Sequence, residues 1–122
     1  MLNTARLLLV DDDPGILESA KDILEDAGYL VDVRSTVHSA LESLRAQPPA
    51  IMLVDFNLPD GNGVDLARAA RALLPGLKVI LMTGQEKVDV SSAGGAVTIS
   101  LAKPVAPSDL LAILAQLLKP SL

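Results

Sequence analysis

Residues 7–14 read LLLVDDDP, and this stretch decides the fold. Its four consecutive apolar residues are typical of a short strand buried on both faces, as in a parallel sheet. Asp13 is a candidate helix N-cap, and Pro14 suits the first turn of a helix. The stretch therefore predicts a buried strand that passes directly into a helix, with Asp11 and Asp12 at the junction.

The same strand-then-helix unit recurs along the chain. Further strand-like runs lie at 29–34, 50–54, 78–82 and 96–101, and apolar helical stripes lie at 16–27, 37–44, 66–74 and 110–118. Residues 85–95 carry no such stripe, which predicts an atypical or shortened fourth helix. Alternating units of this kind predict one parallel sheet with helices on both faces. We expect a single α/β domain over residues 1–122.

Composition and charge exclude several classes of protein. Half of the residues are apolar, but only 2% are aromatic, so the core must be aliphatic. Fifteen acidic against ten basic residues give a net charge of −5, which disfavours direct nucleic acid binding. There is no Cys and only one His, which excludes thiolate and paired-histidine metal sites. Neither a membrane-length apolar run nor a signal peptide is recognisable, so we expect a cytoplasmic protein without membrane contact.

Polar residues follow four of the predicted strands at the end where such sheets bind ligands. They are Asp11 and Asp12, Asp55, Thr83, and Lys103. Where the first and third strands are neighbours, the three carboxylates converge and repel one another. A hard divalent cation relieves that repulsion, and Mg²⁺ suits carboxylates together with phosphate oxygens. The hydroxyl and the ammonium complete a receptacle for a phosphoryl group, which a carboxylate can accept as an acyl phosphate.

Four segments in the order VDDD (10–13), DFNLPDGNG (55–63), MTG (82–84) and KP (103–104) carry a family resemblance. Along essentially its whole length the chain resembles the CheY-like receiver domain of two-component response regulators. The resemblance implies a flavodoxin-like (βα)5 fold, a doubly wound parallel sheet of five strands in the order 2-1-3-4-5.

The resemblance also implies the roles of the acidic residues. Asp55 matches the phosphoacceptor. Mg²⁺ would be held by the carboxylates of Asp12 and Asp55 and by the backbone carbonyl of Asn57, and Asp11 would orient the metal's waters. The phosphoryl donor would be a histidine kinase or a histidine phosphotransfer protein, and the output domain or effector is unknown.

Further residues match the family at the remaining strand ends. Thr83 and Lys103 would each contact a phosphoryl oxygen. The side chains of Asn57 and Gln85 occupy positions that tune the lifetime of the phosphoryl group, and Pro104 follows the lysine, where a cis peptide bond is common.

The predicted switch is atypical. Receivers that switch through a threonine–aromatic pair have an aromatic residue three positions before the lysine, where this chain has Ser100. We therefore expect phosphorylation to order the 84–96 segment. The last helix carries more apolar residues than one stripe needs, with Leu111 and Leu118 beside it. This surplus predicts a homodimer or partner contact, and deep packing is the alternative.

Simpler interpretations stand beside these. The acidic residues at 11–13 also fit a helix cap and a solvated turn. Asp60 and Asn62 are interpreted as turn residues alone, and Arg68 and Arg71 as solubilising charges.

Three functions compete. The first is a phosphoacceptor signalling module, which assists its own phosphorylation and dephosphorylation and is not an enzyme acting on a separate substrate. The second is a magnesium-dependent aspartyl-phosphate hydrolase of the haloacid-dehalogenase type. That class carries its nucleophile in an Asp-x-Asp motif on the first strand and has a cap domain or extra strands. This sequence has adjacent aspartates and only 122 residues, so the class is disfavoured. The third is a degenerate receiver that keeps the fold as a docking or dimerisation surface.

Overall fold

The structure is a computed structural model that describes residues 5–84 and 94–119 of the 122. Its strands are β1 (Arg6–Val10), β2 (Leu30–Arg34), β3 (Ile51–Asp55), β4 (Asn57–Leu58), β5 (Gly61–Asn62), β6 (Lys78–Thr83) and β7 (Ile99–Ala102). Its helices are α1 (Pro14–Asp26), α2 (Val37–Ala46), α3 (Gly63–Leu73) and α4 (Pro107–Leu118). The predicted fourth helix falls largely on 85–93, which lies outside the described residues.

Five strands form one parallel sheet in the order β2-β1-β3-β6-β7. Because β6 and β7 are the fourth and fifth strands of this sheet, the predicted order 2-1-3-4-5 is confirmed. β1 and β3 are hydrogen-bonded neighbours, with Val10 paired to Val54. The carboxyl ends of these two strands therefore lie side by side.

Side chains alternate between the two faces of the sheet, as strand geometry requires. Leu8, Val10, Met52 and Val54 belong to a core with α2 and α3. Leu7, Leu9, Ile51 and Leu53 belong to a second core with α1 and α4. All eight are at most 1% exposed, which explains why β1 and β3 read as continuous apolar runs.

Local signals place the junction after β1 as expected. The Asp13 side chain accepts hydrogen bonds from the amides of Gly15 and Ile16, and Pro14 opens α1. Gly28 follows the helix with a φ of +101°, a conformation that a side chain disfavours. The predicted start and stop of this helix are both confirmed.

The apolar stripe of α1 is buried less completely than its pattern predicts. Leu24 is fully buried, whereas Ile16 is 37% exposed. A cavity of about 570 Å³ lies between α1 and the start of α4, and Leu9, Leu53 and Met82 are among its lining residues. Small residues, including Gly15 and Ala20, line the α1 side, and the sheet beneath stays covered, since Leu9 and Leu53 are at most 1% exposed.

Two further elements differ from expectation. β7 begins at Ile99 rather than at residue 96: a turn occupies residues 94–95, and the Val79 amide donates to the Thr98 hydroxyl rather than to a backbone carbonyl. The turn-rich stretch after β3 contains the short antiparallel hairpin β4-β5. None of the helices in the described ranges, 5–84 and 94–119, has the length and apolar character needed to span a bilayer.

The last helix, α4, is packed on one side only. Leu110 and Leu114 are buried, and Leu111 and Leu118 are half-buried. The Lys78 ammonium donates a hydrogen bond to the carbonyl of Leu117, which satisfies one carbonyl at the helix end. Leu111 and Leu118 pack against the same core as Leu110 and Leu114, as the deep-packing alternative predicts, and each keeps part of its surface exposed.

Candidate functional site

Three carboxylates meet at the carboxyl ends of β1 and β3. Asp11 and Asp12 follow β1, and Asp55 is the last residue of β3. One carboxylate oxygen from each lies within 4.8 Å of the others. Asp11 is fully buried, Asp55 is 6% exposed, and Asp12 is exposed. The cluster predicted from the sequence therefore exists and opens to solvent at Asp12.

Lys103 closes the inner side of this cluster. Its Nζ atom lies 2.9 Å from Asp11 Oδ2 and 2.9 Å from Asp55 Oδ1. Lys103 directly follows β7, and its backbone amide donates a hydrogen bond of 2.7 Å to the carbonyl of Thr83. The sheet thus brings a lysine from the fifth strand to aspartates of the first and third, as predicted.

Charge in the site remains unbalanced. Burial raises the pKa of Asp55, and the charges of Asp11 and Asp12 add to that rise while the Lys103 ammonium opposes it. Burial by itself would lower the pKa of Lys103, but hydrogen bonds to Asp11 and Asp55 outweigh it, so the pKa is raised. Three carboxylates and one ammonium leave two negative charges, and this excess favours a bound cation.

The donor set suits a hard divalent cation. Asp11, Asp12 and Asp55 each offer a carboxylate oxygen. Among the described residues, these three acidic side chains form a cluster close enough to share an ion. Mg²⁺ binds one or two carboxylates and keeps several waters, so it needs an open side, which exposed Asp12 provides. The residues present therefore fit Mg²⁺.

The loop after Asp55 is held against the end of the sheet. The Phe56 amide donates to the Met82 carbonyl at 2.9 Å, and the Gly63 amide donates to the Phe56 carbonyl at 2.7 Å. A Cβ atom on Gly63 would lie 2.6 Å from the backbone oxygen of Asp55 and 2.8 Å from a methyl group of Leu81. Only glycine lets α3 begin this close to the candidate phosphoacceptor position.

The remaining predicted site residues lie as follows. Asn57 is exposed at the start of β4, and half-buried Thr83 ends β6 at the same edge as Asp55. The Lys103–Pro104 peptide bond is cis. Ser100 is exposed on β7. Gln85, together with most of the 84–96 segment, lies outside the described residues.

Sequence interpretation missed the long-range role of Asp60. Its carboxylate accepts hydrogen bonds from the backbone amides of Val37 and His38 at 2.7 and 3.0 Å. These contacts hold the pKa of Asp60 below its ordinary value. The interpretation as a turn residue alone is therefore wrong, and no local pattern signals a contact with a helix more than twenty residues earlier.

Two other interpretations of polar residues are wrong as well. Asn62 is the N-cap of α3, where its side chain accepts from the Asp65 amide at 2.9 Å. An Asn followed three residues later by an acid is a pattern typical of a helix start, so the sequence did carry this signal. Arg71 is more than a solubilising charge, because its guanidinium donates to the carbonyl of Gly95 at 3.4 Å.

Comparison with known proteins gives one consistent answer. A family model described as the response regulator receiver domain matches residues 7–115. The acid tolerance regulatory protein ActR of Rhizobium meliloti is 32% identical over 114 residues, which cover 90% of this chain and 58% of ActR. The photosynthetic apparatus regulatory protein RegA of Cereibacter sphaeroides is 35% identical over 78 residues, which cover 64% of this chain and 42% of RegA. The chain thus spans about half the length of these relatives.

Solved structures agree with the sequence comparison. A CheY-like response regulator receiver domain from Methanospirillum hungatei has a TM-score of 0.88 and 35% identity, covering 93% of each chain. A receiver domain from Clostridium thermocellum has a TM-score of 0.85 and 26% identity, again covering 93% of each chain. With the fold, the acidic cluster and the family match in agreement, the chain belongs to the response regulator receiver domain family.

Proposed function

We propose that Asp55 accepts a phosphoryl group from a phosphohistidine in a reaction that requires Mg²⁺. The observation that carries this proposal is the contact set of Asp55. Its nearly buried carboxylate contacts the Lys103 ammonium, which also contacts Asp11. One carboxylate oxygen from each of Asp11, Asp12 and Asp55 lies within 4.8 Å of the others, close enough to bind one cation together. A carboxylate placed between an ammonium and a cation site is suited to attack on a highly charged phosphoryl group.

The residues of this chain divide the work of the transfer. A carboxylate oxygen of Asp55 forms the new P–O bond while the P–N bond of the donor breaks, and the imidazole nitrogen takes the electron pair and a proton from solvent. Asp12, Asp55 and the Asn57 carbonyl would hold Mg²⁺, with Asp11 orienting its waters. When bound, Mg²⁺ supplies neutralisation of the charge on the phosphoryl oxygens. Thr83 and Lys103 donate to the phosphoryl oxygens that remain.

The donor is a histidine kinase or a histidine phosphotransfer protein, and an output domain or separate effector reads the result. The chain acts as a phosphoacceptor that assists its own phosphorylation and dephosphorylation, in the cytoplasm, as one receiver domain over residues 1–122. It makes no direct contact with nucleic acid or membrane. From the surplus of apolar residues in the sequence of α4 we also infer a homodimer contact through that helix, although Leu111 and Leu118 themselves pack against the core of this chain.

The test is labelling of the purified protein by acetyl phosphate in the presence of Mg²⁺. We expect intact-mass spectrometry to show one added phosphoryl group in the wild type and none in Asp55→Asn. Asp65→Asn is a matched control, because Asp65 is an exposed aspartate in the first turn of α3 outside the acidic cluster. Full labelling of Asp55→Asn would refute the assignment of the phosphoacceptor.

The same assay separates the competing functions. A degenerate receiver would remain unlabelled as wild type, with and without Mg²⁺. A hydrolase would release phosphate from acetyl phosphate with fast turnover and would not accumulate the labelled species, whereas a receiver that assists its own dephosphorylation releases phosphate only as fast as its label decays. The proposed phosphoacceptor instead gives a labelled species whose formation requires Mg²⁺ and Asp55, and the chelator EDTA abolishes it.

A further inference from the structure

Asp60 joins the loop that follows Asp55 to a distant helix. It lies between β4 and β5, at the tip of the hairpin that begins with Asn57. Both of its carboxylate oxygens are used, Oδ1 by the Val37 amide at 2.7 Å and Oδ2 by the His38 amide at 3.0 Å. Hydrogen bonds from amides to an ionised carboxylate are about twice as strong as neutral ones.

The start of α2 is incomplete without this contact. The Thr36 hydroxyl accepts from the Ser39 amide at 3.0 Å, and the Thr36 carbonyl accepts from the Ala40 amide at 3.0 Å. The remaining amides of the first turn belong to Val37 and His38 and are satisfied by Asp60. The Ala40 bond is the first one within the helix, and the Thr36 amide donates to the Ser39 hydroxyl at 3.3 Å. Since the first four amides of a helix have no backbone partner within it, the capping box of Thr36 and Ser39 and the carboxylate of Asp60 together satisfy the whole end.

The hairpin depends on this contact in turn. A two-stranded hairpin is at best marginally stable by itself. Its two strands pair only Asn57 with Asn62 and Leu58 with Gly61. Gly61 lies against α2, since a Cβ atom there would be 3.1 Å from a methyl group of Val37. Leu58 is buried at one end of the hairpin, and the carboxylate of Asp60 fixes its tip.

We propose that Asp60 is a positioning residue for the phosphorylation site, which holds the Asn57 backbone in place by tying the hairpin to the N-terminus of α2. The inference rests on the proposed function, in which the Asn57 carbonyl is a ligand of Mg²⁺. Asp60 itself touches neither the metal nor the phosphoryl group. Its removal leaves the three carboxylates unchanged and lets the hairpin that carries the third protein ligand move, so Mg²⁺ affinity falls.

The test measures the dissociation constant of Mg²⁺ by following backbone amide NMR signals during titration with MgCl₂. We expect Asp60→Ala to weaken binding about tenfold, the lower end of the effect of residues that orient metal ligands. Asp60→Asn keeps one acceptor oxygen, so its Mg²⁺ dissociation constant falls between those of Asp60→Ala and wild type. Labelling by acetyl phosphate slows in Asp60→Ala at low Mg²⁺ and recovers at saturating Mg²⁺.

Thr36→Ala is the matched control. It weakens the same end of α2 and lowers the thermal midpoint, Tm, but leaves the hairpin contact in place, so the Mg²⁺ dissociation constant stays that of wild type. An equal loss of affinity in Thr36→Ala and Asp60→Ala would show that only helix stability matters and would overturn the inference. Unchanged affinity in Asp60→Ala, beside a wild type that binds Mg²⁺, would refute the inference alone. A wild type that binds no Mg²⁺ would refute the proposed function as well.

Discussion

Replacing Lys103 by Met should destabilise the metal-free protein strongly, because this one ammonium is the cation in contact with both buried carboxylates, those of Asp11 and Asp55. Lys103 contacts Asp11 and Asp55 at 2.9 Å each, and their side chains are 1% and 9% exposed. The methionine keeps most of the length of the apolar stem and removes only the charge. Asp11 and Asp55 would then face each other and Asp12 without any cation.

The size of the effect follows from these distances. At an effective dielectric constant near 20, each contact contributes a gross attraction of about 6 kcal/mol, most of which the desolvation of the ions offsets. Removing one partner of a buried ion pair costs about 3–5 kcal/mol. The Lys103 side chain is 24% exposed, so solvent screens part of this and we expect about 2–3 kcal/mol. For a domain of this size that corresponds to a Tm about 10 °C lower.

The assay is thermal unfolding followed by circular dichroism at pH 7, in EDTA and in Mg²⁺. Lys21→Met is the matched control, since it removes a lysine from an exposed ion pair with Glu25 and should shift Tm by no more than about 2 °C. Mg²⁺ should reduce the difference in Tm between Lys103→Met and wild type, because the cation supplies the positive charge that the variant lacks. A Tm of Lys103→Met equal to that of Lys21→Met in EDTA would refute the electrostatic account of the site.

Three further outcomes are expected. Mg²⁺ should raise the Tm of the wild type by mass action, and in the same thermal unfolding experiments it should raise the Tm of Asp12→Ala much less. If Mg²⁺ raises the Tm of both proteins equally, Asp12 is not a ligand of the metal. Gly63→Ala should cost about 1–3 kcal/mol in urea unfolding and slow labelling, because the added Cβ meets the backbone oxygen of Asp55 at 2.6 Å; wild-type stability would contradict this. Asp32→Asn should be less stable than wild type at pH 7. Burial alone would raise the pKa of Asp32, but hydrogen bonds from Ser43 and Arg34 lower it below 3.8. The ionised carboxylate therefore contributes its full stabilisation above pH 3.8, and this stabilisation is lost as the pH falls through the lowered pKa. The gap between the two proteins in an acid titration of Tm should therefore close below pH 3.8, and a constant gap would show that the charge of Asp32 is not responsible.

Local patterns in the sequence determined the sheet. The apolar runs at β1 and β3 predict strands covered on both faces, and all of their apolar residues from Leu7 to Val10 and Ile51 to Val54 are at most 1% exposed. Asp13, Pro14 and Gly28 act on the backbone within a few residues, so they fixed the ends of α1 without reference to the rest of the chain. The strand order came from the family resemblance, because periodicity by itself does not say which strands are neighbours.

The sequence also placed the acidic residues at one edge, since the carboxyl ends of parallel strands always meet there. It could not show how the charges are shared. Lys103 and Asp11 are 92 residues apart in the chain, and their contact depends on how β7 is placed against β6. The cavity between α1 and α4 likewise depends on the distance between two helices that no local pattern encodes.

The difference between what local sequence determines and what tertiary structure decides is clearest in one short segment, DFNLPDGNG at 55–63. Its composition determined a turn, and its resemblance to receivers assigned Asp55 a role. Tertiary structure alone decided that Asp60 would satisfy the amides of Val37 and His38 and that Gly63 would lie against the backbone of Asp55. Turn propensity is a property of neighbouring residues, whereas hydrogen bonds and close approaches between distant segments exist only once the packing of α2 and α3 on the sheet has brought them together.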